Sequence, residues 1–268
     1  MNAQPERWTV VRIRQMKGRG RLPCVTVTDA ATARWAEEAG LPLLLVGDSL
    51  GMTILGYETT LPVTLEQMLH HTAAVVRGRR AALVVADMPF LTYQASPAEA
   101  VRNAGRFLQE AGADAVKIEG GRERAPTARA LVEAGIPVMG HIGLLPQSVK
   151  TAGGYRVRGR TSAESAALLA DARALEAAGV FSIVIEGVPP AVARRLTAAV
   201  GVPTIGIGAG PHCDGQVLVL HDLLGMAAEP PPRFARRYVD LRGHAVDALR
   251  SFRRDVEAGR FPGPEHWY

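Results

Sequence analysis

LQEAGADAVKIEGG, residues 108–121, holds the pattern on which the fold turns. Leu108 to Ala111 closes a helical segment, and Gly112 stands where a left-handed residue ends a helix at little cost. Ala115 to Glu119 then has the length and apolar content of a strand buried on both faces. The unit returns as AEEAGLPLLLVGDS (36–49), LVEAGIPVMGHIG (131–143), LEAAGVFSIVIEG (175–187) and LTAAVGVPTIGIGAG (196–210). Helix starts are marked as well, by Ser96-Pro97-Ala98-Glu99 and by Thr64 with Gln67. Strands are predicted at 23–28, 43–47, 82–86, 115–119, 137–141, 181–186, 203–208 and 216–220. Eight strands alternating with helical segments predict an α/β protein, a closed (β/α)8 barrel rather than an open doubly wound sheet. No linker interrupts the pattern, so residues 1–268 are read as a single barrel domain with a C-terminal helical extension from about residue 230. The irregular stretch 142–161 is too long for an idle connection and is a candidate lid.

The strand 115–119 also carries a puzzle. Residues two apart on a strand share a face, so Lys117 and Glu119 point the same way out of an otherwise apolar segment. The chain holds 31 Lys and Arg, of which only Lys17, Lys117 and Lys150 are lysines, so a lysine at this place is a marked choice. In a parallel barrel all strand C-termini meet at one mouth, where chemistry sits. Read in order, those ends present Asp29, Asp48-Ser49, Asp87, Lys117 with Glu119, His141 and Glu186.

Composition narrows the function. The net charge is +5 and 47% of residues are hydrophobic, with an isoelectric point near 9.6. Aromatics make up only 5%, and no basic block is interleaved with them, which argues against nucleic-acid binding and for anionic small molecules. Cys24 and Cys213 form neither a disulfide framework nor a metal cluster and suit a reducing compartment. No run approaches a membrane span, and the Arg-rich start lacks the apolar core of a secretory signal. The expectation is a cytoplasmic protein whose first residues form a plain helix followed by a basic turn, with a transit peptide as the alternative reading.

Carboxylates converging with one His and one Lys suggest a hard-metal site. Asp48 and Asp87 would ligate Mg²⁺, one ion per subunit, with Glu119 a third ligand or held through water, because Mg²⁺ keeps several waters. Those waters leave room for a 2-oxo acid, whose ketone the metal would polarise toward an enolate. Glu186 would be the general base if burial lifts its pKa toward neutrality, while Lys117 and His141 hold the substrate carboxylate and the enolate oxygen. Plainer roles compete at each position. Asp48 and Ser49 could cap a helix, Asp87 could sit in a turn, and Lys117 with Glu119 could be a structural ion pair. His141 could donate to a carbonyl, Glu186 could cap, and GIGAG (206–210) could serve close packing rather than phosphate binding.

At these residues the chain resembles the ketopantoate (3-methyl-2-oxobutanoate) hydroxymethyltransferase family. The resemblance rests on VGDSLGM (46–52), TTLPVTLEQM (59–68), ADMPF (86–90), VKIEGG (116–121), GHIGLLPQSV (140–149), GGYRV (153–157), IGIGAG (205–210) and DGQVLV (214–219), and runs from about residue 23 to FPGPEHWY. It implies a barrel of the phosphoenolpyruvate/pyruvate superfamily, Mg²⁺, 3-methyl-2-oxobutanoate and the donor 5,10-methylenetetrahydrofolate, in pantothenate biosynthesis. By motif, Asp48 and Asp87 match metal ligands, and Glu119 matches the acidic group near the metal. Ser49, Lys117 and His141 match substrate contacts, and Glu186 matches the base. A homo-oligomer, a decamer, is implied too. The loop residues Lys150, Arg156, Arg158 and Arg160 would meet the folate's glutamate tail or else form a solvated lid edge. One segment departs from the family's pattern: Thr26-Val27-Thr28-Asp29 stands where Thr-Ala-Tyr-Asp is usual. If that tyrosine lines the pocket, Thr28 leaves space there and removes a phenol, which points to a paralogue acting on a related 2-oxo acid; a metal-dependent aldolase or lyase is the other alternative.

Overall fold

A computed structural model describes residues 6–268 and divides them into two compact units, one ending at Val219 and one spanning Leu220–Tyr268. The first five residues of the expected N-terminal segment lie outside the described ones; helix Val10–Gln15 follows them, capped by the Thr9 side chain.

The first unit is built on eight parallel strands: β1 (Leu22–Thr26), β2 (Leu43–Val46), β3 (Leu83–Asp87), β4 (Ala115–Glu119), β5 (Val138–Gly143), β6 (Ser182–Glu186), β7 (Thr204–Ile207) and β8 (Gly215–Leu218). They pair in chain order and close, β8 against β1. The helices begin and end as the sequence signals say. Ser96 accepts from Glu99 N ahead of Pro97–Gln109, and Thr64 with Gln67 forms a full capping box on Leu65–Gly78. In four of the five repeated units the glycine after the helix has positive φ (Gly40, Gly112, Gly135, Gly179). The fifth, ahead of β7, ends instead on an extended Val200. One connection differs from the alternation expected: β7 reaches β8 through residues 208–214 without a helix. In the same turn region a Cβ on Gly206 would lie 3.1 Å from Cys213 Sγ and one on Gly210 would crowd Pro190, so GIGAG serves packing.

Strand periodicity stacks the barrel interior in two zones. Leu22, Cys24, Leu43, Leu45, Val85, Ala115, Met139 and Val184 pack as a buried apolar plug, joined by Ile13 of the N-terminal helix. Two residues further along their strands, on the same inward face, come Asp87 after Val85, Lys117 after Ala115, His141 after Met139 and Glu186 after Val184. The apolar plug fills the middle and the charged layer sits above it at the C-terminal mouth.

The opposite end carries anchors of stability. Asp214, just before β8, accepts from Thr204 N at 2.8 Å, from Lys17 Nζ at 2.9 Å and from Gly18 N at 3.2 Å. Asp114, just before β4, accepts from Val84 N and pairs with Arg79 at 3.0 Å.

The second unit holds two α-helices, Leu220–Leu224 and Leu241–Glu257, and a 3-10 turn, Pro264–His266. It starts at Leu220, upstream of the position near 230 where the sequence places the extension, since the short helix Leu220–Leu224 precedes the Pro-rich break. Among the described residues no helix is long and apolar enough to cross a membrane.

Candidate active site

Cross-strand register assembles the charged layer. Asp87 on β3 is the partner of Lys117 on β4, and Glu119 on β4 is the partner of His141 on β5. Lys117 Nζ accordingly lies 3.0 Å from Asp87 Oδ1, so the pair suggested by sequence, Lys117 with Glu119, is replaced by Lys117 with Asp87. Glu119 turns to His141, with Oε1 at 3.5 Å from Nδ1. His141 Nε2 in turn lies 3.1 Å from Glu186 Oε2 but forms no aligned hydrogen bond, so this contact is a charge pair. Asp48, in the turn after β2, donates its backbone N–H to Asp87 Oδ2 at 3.1 Å. Asp48, Asp87, Lys117, Glu119 and His141 are all 5% exposed or less, whereas the Glu186 side chain retains 17% exposure.

Burying this many charges is expensive unless each is compensated, and the proton affinities record the strain. Burial, and then the charges of Asp87 and Glu119, push the Asp48 carboxyl well above its usual range. Asp87 is pushed up by burial as well, against the opposing pull of Lys117. Burial works against the Lys117 ammonium, yet the three carboxylates around it outweigh that and hold it charged. Glu119 is likewise disfavoured by burial, but His141 and Lys117 keep its pKa below the ordinary value. Burial and Lys117 push His141 down, while Glu119 and Glu186 prevail and raise it to about 9. The raised value favours the protonated imidazole. Lys117 Nζ also approaches Nδ1 to 3.3 Å, with the donor and acceptor roles set by the ring's tautomer.

Two residues absent from the sequence-stated set complete the cluster. Gln147, in the loop after β5, donates from Nε2 to Asp48 Oδ2 and to Met88 O, both at 2.9 Å, and from its backbone N to Glu119 Oε2 at 3.0 Å. Tyr93, 1% exposed, donates its hydroxyl to Gln147 Oε1 at 2.7 Å and accepts from Glu119 N at 3.0 Å. The loop 142–161 is thus pinned near its start by Gln147 and includes a short helix, Val149–Ala152.

The remaining sequence candidates are placed as follows. Asp29 is spent as a helix cap, accepting from Ala31 N and Thr32 N, and is not part of the cluster. Thr28 is buried, with its hydroxyl 3.3 Å from Asp29 Oδ2 and its carbonyl 2.7 Å from His71 Nδ1. Ser49 opens the turn Leu50–Thr53 without using its hydroxyl as a cap. Beside the cluster a cavity of about 430 Å³ is lined by Phe90, Tyr93, Glu119, Arg124, Gln147 and Lys150, among others. Arg156, Arg158 and Arg160 do not line it and are exposed.

Among the described residues no three His, Cys, Asp or Glu side chains stand ready to cage a metal ion. The donor set nevertheless fits an ion that binds through two carboxylates and several waters. Asp87 Oδ1 is met by the Lys117 ammonium at 3.0 Å without an aligned hydrogen bond, and among the described residues no donor reaches Asp48 Oδ1. Four carboxylates (Asp48, Asp87, Glu119, Glu186) against two cations (Lys117, His141) leave two negative charges when all are ionised. One divalent cation would balance them.

Comparison with known proteins shows the family. The profile of the family described as "Ketopantoate hydroxymethyltransferase" matches residues 7–264. A 3-methyl-2-oxobutanoate hydroxymethyltransferase of Moorella thermoacetica is 56% identical over 265 residues, covering 98% of both chains. One of Chloroflexus aurantiacus is 56% identical over 261 residues, covering 97% of this chain and 92% of its own. Among solved structures, 2,3-dimethylmalate lyase, of the PEP mutase/isocitrate lyase superfamily, superposes with a TM-score of 0.59 at 18% identity, covering 96% of this chain and 90% of its own. Oxaloacetate acetylhydrolase in complex with 3,3-difluorooxalacetate gives 0.62 at 15% identity, covering 98% and 91%. At such identities these two share the fold. The profile match and the close relatives, each spanning nearly the whole chain, establish that this protein is an enzyme belonging to the ketopantoate hydroxymethyltransferase family.

Proposed function

We propose that this chain transfers a hydroxymethyl group from 5,10-methylenetetrahydrofolate to 3-methyl-2-oxobutanoate, giving ketopantoate for pantothenate biosynthesis, with Mg²⁺ as its metal. The observation that carries the proposal is the cross-strand register, which lines up Asp87 with Lys117 and Glu119 with His141 at the barrel mouth, next to Asp48 and Glu186. Asp48 and Asp87 would hold the metal and Glu119 would reach it through water. When bound, the metal would act as a Lewis acid on the 2-oxo group and favour the enolate.

The remaining work falls to the chain's own side chains. Lys117 and the imidazolium of His141 supply positive charge for the substrate carboxylate and for negative charge developing on the ketone oxygen. The Ser49 hydroxyl, unused as a cap, is available to the substrate. Glu186, the most exposed carboxylate of the cluster, takes the proton from C3. Water cleaves both C–N bonds of the folate's methylene, releasing tetrahydrofolate and formaldehyde. The carbon nucleophile adds to that carbonyl carbon, and the new alkoxide takes a proton to become the hydroxymethyl group. The neighbouring cavity supports the folate reading, since it offers about 430 Å³ with Phe90 for stacking and Lys150 and Arg124 for a glutamate tail. Buried thiols at Cys24 and Cys213 support a reducing, cytoplasmic setting, and assembly as a homo-oligomer, a decamer, belongs to the same proposal.

The test is an assay of ketopantoate formation with each component omitted in turn. Product that depends on the 2-oxo acid, the folate and Mg²⁺ together is expected, and loss of product with a chelator should reverse on adding Mg²⁺. Thr28, standing where the family usually has a tyrosine, favours a second reading, a paralogue or a metal-dependent lyase or aldolase acting on a related 2-oxo acid. Turnover that ignores the folate would replace the first reading with the second.

A further inference from the structure

Gln147 has no charge and no nucleophile, yet every hydrogen-bonding position of its side chain is taken. Its two N–H groups go to Asp48 Oδ2 and Met88 O, both at 2.9 Å. Its carbonyl accepts from Tyr93 Oη at 2.7 Å and from Gln94 Nε2 at 3.1 Å. Reversing the amide would set its oxygen against a carboxylate and a carbonyl, so the network fixes which end faces Asp48. The residue is 5% exposed, and its backbone N–H holds Glu119 Oε2 at 3.0 Å. One residue thus grips carboxylates after β2 and on β4, and the carbonyl just beyond β3.

We propose that Gln147 is a positioning residue that sets the orientation of the Asp48 carboxylate for divalent-cation binding, with Tyr93 fixing Gln147 from behind. Gln147 occupies Asp48 Oδ2 and, among the described residues, no donor reaches Oδ1, so the carboxylate is held with one oxygen presented. A neutral donor does this without adding a cation that would compete with the metal. Tyr93 reaches the cluster by the same route: its hydroxyl accepts from Glu119 N at 3.0 Å while donating to Gln147, tying the β4 end to the loop. The clamp also explains why the loop after β5 turns into the mouth at residue 147, although Arg156, Arg158 and Arg160 further along it stay exposed.

The inference rests on the metal reading, and the experiment separates the two. Mn²⁺ binding to the full chain is measured by calorimetry in the absence of substrates, for wild type, Gln147→Met and Tyr93→Phe. Met keeps the length of Gln and removes its hydrogen bonds; Phe keeps the ring and removes the hydroxyl. Wild type that shows no saturable site overturns the metal reading itself. With wild type binding, Gln147→Met is expected to lose at least tenfold in Mn²⁺ affinity, and Tyr93→Phe at least threefold. The apparent KM for the metal should rise in step, with melting temperatures reported alongside. A folded Gln147→Met that binds within threefold of wild type overturns the proposal. If that variant does not fold, Tyr93→Phe decides, and an affinity within threefold of wild type overturns it equally.

Discussion

Replacing Glu186 by Gln keeps the side chain's size while removing one negative charge and the capacity to take a proton. Its surroundings predict that little else changes. The backbone is held by pairing with Gly143 and by Leu144 N donating to Glu186 O at 2.8 Å, neither of which involves the side chain. Binding of the 2-oxo acid should therefore persist. Proton abstraction by a positioned base is worth ~10²–10⁴-fold in rate, or ~3–5 kcal/mol of barrier. Incubation with 3-methyl-2-oxobutanoate in D2O without folate, followed by NMR at C3, isolates that step. Exchange in Glu186→Gln should fall at least ~100-fold. The same substitution has a second readout. His141 is raised to about 9 against burial and Lys117 because Glu119 and Glu186 flank it. The Glu186 carboxylate is one of the charges that raise the imidazole, so the ring's titration in the variant should fall below that of wild type. Exchange within tenfold of wild type would assign the base to another group. A His141 titration that does not move would refute the charge pair.

Asp87→Ala should abolish metal-dependent turnover and also lower unfolding free energy by ~3–5 kcal/mol, read from denaturant midpoints, because it leaves the buried Lys117 without its partner at 3.0 Å. Gly143→Ala should cut activity more than ~10-fold, since Gly143 has φ +103 and a Cβ there would collide with Glu186 O, displacing the strand end that carries the base. At the far end of the barrel, Asp214→Ala should cost ~2–4 kcal/mol of stability with kcat within ~2-fold of wild type. Burial pushes the Asp214 carboxyl up, but Thr204 and Lys17 outweigh it and hold it below the usual range. Its contribution is thus present above the unfolded carboxylate pKa and lost as pH falls through the folded value, so acid unfolding should be less steep in Asp214→Asn. His141 has the opposite sign. In metal-free protein its stabilising effect is complete below its unfolded pKa of ~6.5 and disappears as pH rises through about 9. Urea midpoints measured from pH 6 to 10 should therefore decline, and a flat profile would contradict the raised imidazole.

Local pattern carried a great deal of this protein. The recurring helix, glycine and apolar run marked five of the eight strands and apolar runs the other three, all to within a few residues, and the alternation of side chains along them sent Asp87, Lys117, Glu119, His141 and Glu186 to the inward face. Both are properties of a few consecutive residues, so a single chain displays them. Partnership is different. Lys117 and Glu119 are two apart on one strand, ~6.6 Å along it, whereas adjacent strands lie only ~4.8 Å apart. Register therefore decides, and it pairs Lys117 with Asp87 and Glu119 with His141. Nothing at residue 29 marks its carboxylate as a cap rather than a site group until the Ala31 and Thr32 amides are seen pointing at it. Gln147 and Tyr93 were invisible for the same reason: a polar residue in a loop carries no periodic signal, and each acquires its role from residues at least 26 positions away. The sequence by itself determined the barrel and the inward charges, because those follow from short-range geometry. Tertiary structure alone decided who neutralises whom, because in a closed barrel electrostatic neighbours are set by strand register and by loops folding back across the mouth.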